Sequence, residues 1–239
     1  MKQIFVDQNL ELHQHIILDE SQAHHLFDVL RIEKKETVRV IGSNASFLAH
    51  PEKRPYLYLF NQITTEQVMH HTTLCVALIK QDKFEWMLQK ACELGVTRIV
   101  PFVSRNCVVR LDPQREQKKL ERWSKIILNA CQQCNRNDLV EITPIQKIET
   151  LKDFQNEMNL VAYEKTSTSE HLAKYLHANP KSITVCIGPE GGFEDFEIDH
   201  LLDDHFIPCS LGNNILRAET AACYVLSAIE YQHHVKEED

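Results

Sequence analysis

Hydrophobic positions along this chain change their spacing near residue 70. Before it, apolar residues come in short runs rich in β-branched and aromatic side chains, QIFV, ETVRVIG and YLYLFNQI among them, separated by the turn-like GSNAS and HPEKRP. Such runs predict strands, and residues 1–70 together predict a small β domain. Within it SQAHHLFDVLRI repeats at helical spacing and predicts one short helix, with Ser21 as N-cap and Leu26, Val29 and Leu30 on a common face. From about His71 strand and helix patterns alternate. TLCVALI reads as a buried strand, and QDKFEWMLQKACEL sets Phe84, Met87, Leu88 and Ala91 on one side of a helix closed by Gly95. RIVPFV is the next strand, followed by a long helix from about Gln114 to Cys134. LVEI, NLVAYE, SITVCIG and IPCSLG are further strands with helical segments between and after them. This alternation predicts an α/β domain over residues 71–239, its sheet parallel and covered on both faces.

Composition narrows the function classes. The 239 residues are 43% hydrophobic and 25% charged, enough for one large or two modest globular domains. No run approaches the roughly 18 apolar residues of a membrane span, and MKQIFVDQNLELHQ lacks the apolar centre of a signal peptide, so a cytoplasmic protein is expected. Eight cysteines are scattered, and the close pair Cys131 and Cys134 has no second CxxC or HxxxH to complete a metal site. With Trp123, Ile127 and Ala130 that pair instead forms one helical stripe, and no metal is expected. The net charge is −8, yet residues 71–136 carry +6 inside an acidic protein. The cluster that includes Arg98, Arg105, Arg110, Arg115, Lys118 and Arg122 is the electrostatic footprint of a phosphate-binding surface; alternation with Asp112, Glu116 and Glu121 leaves a solvated helix face as the alternative.

Glycine is scarce and concentrated. Three of six glycines fall in IGPEGGFEDFEI, and Gly212 follows 20 residues after Gly192. Gly188 closes the strand SITVCI and Gly212 follows IPCSL, so two glycine-bearing loops leave the carboxyl ends of neighbouring strands, where open α/β sheets bind ligands. No GxGxxG follows the first α/β strand, and GPEGGFED lacks the Lys-Ser/Thr pair of a Walker loop.

The stretches IGPEGGF and LGNNILRAETAACYVLSAI resemble the cofactor loops of SPOUT methyltransferases, and among them those of the ribosomal RNA small-subunit methyltransferase E family. HHLFDVLRI, KQDKFEWMLQKACELGVTRIVPF, RWSKIILNACQQCNR and YEK extend the likeness over nearly the whole chain. The resemblance implies an N-terminal PUA-like β-barrel for RNA, a C-terminal SPOUT domain with a trefoil knot, S-adenosylmethionine as cofactor, a homodimer, and methylation of N3 of uridine 1498 in 16S ribosomal RNA. It implies cofactor contacts at Tyr163, Ile187, Gly188, Pro189, Gly191, Gly192, Leu211, Gly212, Ile215, Leu216 and Ala218. RNA-contact candidates are Arg31, Arg39, Arg105, Arg110, Arg115, Lys118 and Arg136. Asn213-Asn214 replaces the family's usual Pro-Arg, which removes one positive charge while Arg217 remains.

Transfer from a sulfonium is an in-line displacement by an already activated donor, so the protein chiefly aligns two atoms. A uridine nucleophile must also lose its N3 proton. Arg217 is the candidate to stabilise the resulting anion, with Glu190 or Glu219 as proton acceptor. Glu219 has a second reading as a first-turn carboxylate of the last helix. That helix carries the stripe Ala221, Ala222, Val225, Leu226 and Ile229, either core or part of a dimer interface. A non-catalytic RNA-binding or ribosome-assembly protein would share the β domain and the basic segment, but has no need of both glycine loops.

Overall fold

The structure, a computed structural model, describes residues 1–64, 70–109 and 112–236. Its chain divides into two compact units, Met1–Val68 with Cys131–Leu139, and Met69–Ala130 with Val140–Asp239.

The first unit is a five-stranded sheet of β1 (Lys2–Phe5), β2 (His15–Ile17), β3 (Val38–Ile41), β4 (Ser46–Pro51) and β5 (Tyr56–Ile63), in the order β1-β3-β4-β5-β2. Strands β1 and β3 run parallel and the other pairs antiparallel. Alternation along each strand turns Ile4, Val38, Val40, Phe47, Ala49, Leu57 and Leu59 into one core. Two of the strands, β2 and β4, are weak in the sequence: one has three residues and the other ends on Pro51, and pairing with β5 recruits both. Leu48 pairs with Asn61 and Ala49 with Leu59, so Phe60 is the extra residue of a bulge.

The expected helix is shorter and differently built. Asp19, not Ser21, caps α1 (Glu20–Ala23), in a capping box with Gln22, and a π-helical turn over His24–Val29 continues it. The wider turn breaks the helical register. Leu26 is fully buried and Leu30 packs partly on the core, but Val29 is 57% exposed.

Residues 131–139 return from the middle of the chain to this sheet. The Gln3 side chain donates to the Arg136 carbonyl at 2.7 Å, and Arg39 donates to Gln3 Oε1 at 3.0 Å, to the Asn135 carbonyl at 2.9 Å and to Asn137 Oδ1. Arg136 in turn pairs with Asp138 at 2.6 Å.

The second unit is a wholly parallel sheet. It comprises β6 (His71–Ala77), β7 (Arg98–Val103), β8 (Glu141–Ile142), β9 (Gln146–Lys147), β10 (Met158–Ala162), β11 (Ser182–Ile187) and β12 (Ile207–Cys209). Its order is β12-β10-β11-β6-β7-β8, with β9 on the far half of β7. Six of seven residues of β6 and five of six of β11 are buried, as befits strands covered on both faces. The helices are α2 (Gln81–Glu93), α3 (Pro113–Gln133), α4 (Leu172–Leu176), α5 (Asp195–Asp203) and α6 (Ala218–Lys236). Gly95, at φ +83°, closes α2, as its position just past the last apolar residue predicts. Helix α6 lies on α2, β6 and β11, and its stripe from Ala221 to Ile229 is buried within this chain. That face is core, and only Tyr224, Tyr231 and Val235 are large apolar groups left outward on α6. Cys131, Trp123 and Ile127 are likewise buried on α3, and in the sheet burial raises the Cys209 thiol to about 12.

Arg39 carries the attachment of residues 135–137, so Arg39→Met should lower stability by about 0.5–1.5 kcal/mol in urea melts, because the part-buried Gln3 amide and the exposed Asn135 carbonyl lose their shared donor. An RNA-contact role predicts instead an unchanged melt with a shallower salt dependence of RNA affinity.

Candidate active site

Three chain segments meet at the carboxyl ends of the second sheet. Strand β10 lies between β11 and β12, so the two glycine loops leave strands that flank β10 and are not direct neighbours, which corrects the sequence expectation. The end of β10 itself delivers Tyr163 and Glu164 between them. Together they line a cavity of about 420 Å³, a size common for small-molecule sites. Its walls include every residue of the implied cofactor set: Tyr163, Ile187, Gly188, Pro189, Gly191, Gly192, Leu211, Gly212, Ile215, Leu216 and Ala218. Glu190 and Arg217 also line it, as do Glu164, Phe193, Ser210, Asn213 and Asn214.

The loops are shaped by close approach. Gly192 donates its N–H to the Pro189 carbonyl at 2.9 Å, which closes a tight turn that ends at φ +70°. Gly191 needs no positive φ; a Cβ there would sit 3.0 Å from Asn106 Cβ. Gly212 is different. It stands at φ +113° and a Cβ there would meet no atom within 4 Å, so the backbone is unusual while the space beside it is open.

A buried carboxylate binds the loop after β7 to this site. Glu197, 2% exposed on the first turn of α5, accepts from Ser104 Oγ at 3.0 Å, from the Arg105 N–H at 2.9 Å and from the Glu194 N–H at 3.0 Å. Beside it the Asn106 amide donates to the Gly192 carbonyl at 3.2 Å, to Glu194 Oε1 at 3.0 Å and to the Gly191 carbonyl at 3.4 Å. At the outer rim Asp195 accepts from Lys165 at 2.6 Å and from the Tyr163 hydroxyl at 3.1 Å. Those bonds, Lys165 first, hold the Asp195 carboxyl below its usual range and raise the Lys165 ammonium.

The candidates for chemistry separate. Glu190 Oε1 accepts from the Lys80 N–H at 3.4 Å, at the start of α2. The Arg217 guanidinium is exposed on the cavity edge and makes no ion pair among the described residues. Glu219 does not line the cavity; it lies in the first turn of α6 and pairs with Lys83 at 3.2 Å. Its geometry matches the second reading given to it, a first-turn carboxylate.

The sequence model of the RNA methyltransferase domain family matches residues 65–230. The Ribosomal RNA small subunit methyltransferase E of Bacillus subtilis is 33% identical over 227 residues, 88% of each chain. The chain belongs to the ribosomal RNA small subunit methyltransferase E family. Among solved structures, a family member from Neisseria gonorrhoeae bound to S-adenosyl methionine superposes with a TM-score of 0.85 at 27% identity over 97% of each chain. A Legionella pneumophila methyltransferase in complex with the same cofactor gives 0.88 at 29% over 96% of each.

Within this family fold, the basic residues expected at RNA stand in different settings. Arg39 and Arg136 are engaged inside the first unit. Arg31, Arg105, Arg115 and Lys118 are exposed, Arg115 beside Asp112 at 3.2 Å, and Arg110 lies outside the described residues. Glu164, Asn106 and Glu197 are site residues that sequence reasoning passed over; only the position of Glu164 directly after Tyr163 offered a signal. Among the described residues no group of His, Cys, Asp and Glu is placed to hold a metal ion, and no helix is long and apolar enough to cross a membrane.

Removing the Glu197 carboxylate strands three donors in a buried place. Glu197→Ala should cost at least about 2 kcal/mol in thermal or urea unfolding, and Glu197→Gln less, since one acceptor oxygen survives.

Proposed function

We propose that this protein transfers a methyl group from S-adenosylmethionine to N3 of uridine 1498 in 16S ribosomal RNA of the small subunit. The observation that carries the reading is the single cavity wall formed by both glycine loops together with the end of β10, in a chain of this family. The donor set fits the cofactor. Ile187, Leu211, Ile215 and Leu216 offer apolar wall, while Tyr163, Ser210 and the loop backbone offer polar contacts. Glu164 and Glu190 offer negative charge to a cationic ligand, and the open space at Gly212 lets a ligand reach the backbone.

Bound there, S-adenosylmethionine supplies a methyl already activated by its sulfonium. What remains for the chain is alignment, exclusion of water and management of one proton. Arg217, exposed and without an ion pair among the described residues, is the group to stabilise negative charge as the uridine N3 proton leaves. Glu190 and Glu164 are the lining carboxylates available to accept that proton; Glu219, paired with Lys83, is not proposed for it. Asn213 and Asn214 make this mouth less positive than the usual Pro-Arg would, which leaves Arg217 to act without a neighbouring cation in that loop.

The same reading takes the second unit as a SPOUT domain with a trefoil knot and the first as a PUA-like barrel for RNA, over residues 71–239 and 1–70. It takes the protein as a cytoplasmic homodimer that contacts RNA through Arg31, Arg105, Arg110, Arg115 and Lys118. The family resemblance supports these points, and the parallel order with β11 entered between β10 and β6 is in keeping with the first.

The direct test supplies labelled methyl donor to small subunits from a strain lacking this gene and maps the modified base. Label at another base, or none, overturns the assignment. Gly212→Val forces a β-branched residue into φ +113° and fills the ligand's space, so cofactor affinity by calorimetry should fall at least about 100-fold in a folded protein. Arg217→Ala should instead leave cofactor affinity within about twofold and lower kcat about 100-fold, as loss of a transition-state charge contact does.

A further inference from the structure

The outer face of the first unit's sheet is divided. Over β1 and β3 it is occupied, because Gln3 and Arg39 hold residues 135–137 there. Over β4, β5 and β2 the described residues leave it exposed, and it is paved with rings. Strand β5 turns Leu57 and Leu59 inward, which leaves Tyr56 and Tyr58 on the other side, and its bulge adds Phe60 beside Asn61. His50, opposite Tyr58 on β4, stacks on Phe60 with centroids 4.1 Å apart and planes within 9°. His15, opposite Tyr58 on β2, lies 4.9 Å from its ring, and His13 donates to or accepts from its hydroxyl at 3.0 Å. The three imidazoles are exposed, and the Tyr58 and Phe60 rings are half-buried.

These rings lie outside the hydrophobic core, which is on the inner face. Ile17 at the margin is the main exposed aliphatic group on these strands. Flat faces with polar edges are the chemistry that stacks nucleobases, which bring π faces of their own. Asn61, exposed beside Phe60, offers an amide to a base edge, and Lys53, exposed in the β4–β5 hairpin, offers a cation to the backbone. Bases inside a duplex do not present their faces, so the complementary partner is single-stranded.

We propose that the open half of this face, built on His13, His15, His50, Tyr58, Phe60 and Asn61, stacks bases of a single-stranded segment of the RNA substrate. The proposal rests on the reading of the protein as a ribosomal RNA methyltransferase and gives its first unit a specific surface and a mode of binding. Phosphate contacts anchor RNA wherever it runs; this face distinguishes unpaired from paired strands.

The test uses the full-length protein carrying Tyr58→Leu with Phe60→Leu, which keeps apolar bulk over the strand and removes the π faces. A His50→Ala variant, altered only at an exposed ring, guards against misfolding of the first. The probe is a single-stranded RNA oligonucleotide containing a fluorescent purine that is quenched on stacking. Wild type should bind it with quenching. The double variant should lose about tenfold or more in affinity and most of the quenching, with an unchanged salt slope, and His50→Ala should lose a smaller share of both. A duplex of the same sequence should bind all three proteins alike. Equal affinity and quenching in wild type and variants overturns the proposal. So does a variant that changes the oligomeric state in light scattering while keeping RNA affinity, which would assign the face to self-association. Wild type that stacks the oligonucleotide yet methylates no small subunit would leave this surface standing and sink the enzymatic reading.

Discussion

The arrangement of the second unit's working end depends on the Glu197 carboxylate. A carboxyl group with almost no exposure is tolerable only when its oxygens are satisfied, and here three donors from two segments do so. The donors are the hydroxyl and backbone that follow β7 and the backbone that opens α5, so one side chain fixes the angle between a strand exit and a helix entry. Asn106 then extends the constraint into the glycine turn, whose carbonyls it holds from the side. Gly192 takes its left-handed backbone at no steric cost, and the Asn106 bond to its carbonyl holds the turn in place.

That rigidity matters because a displacement reaction is sensitive to misplacement on the scale of an ångström. A ligand in the cavity would meet two loops and a strand end already set by hydrogen bonds made elsewhere. The exposed charged groups, Arg217 above all, stand on this frame without contributing to it, which leaves them free to respond to what binds. The Lys83 partner of Glu219 shows the opposite case, a carboxylate whose charge is spent on joining α2 to α6.

Much of this was legible in the sequence, and the failures have physical causes. Continuous apolar runs such as SITVCI and amphipathic spacing such as Phe84, Met87, Leu88 and Ala91 are local, so strands β6, β7, β10 and β11 and helices α2, α3, α5 and α6 stand close to where the pattern puts them. The glycine loops were visible because glycine is rare in this chain. Asn106 and the long-range role of Glu197 were not visible, because the bonds that tie the loop after β7 to α5 and the glycine turn span 85 to 93 residues and nothing in either local pattern marks the pairing. The internal bonds of Arg39 and Arg136 were not visible either, because residue type does not carry hydrogen-bond partners; the first bonds Asn135 and Asn137, and the second pairs two positions along with Asp138. Strands β2 and β4 exist by virtue of β5, a dependence that single-segment propensity does not carry.

The return of residues 131–139 to the first unit has a consequence in time. During synthesis the five strands of that unit are complete by Ile63, but the segment that covers β1 and β3 is made only after α3 has emerged. Until then the Arg39 guanidinium and the polar end of Gln3 face solvent, and the first unit is a sheet with an unfinished outer surface. Its full stability therefore arrives late, as a property of more than half the chain, and a fragment ending at residue 70 would be a weaker fold than the same residues in the whole protein.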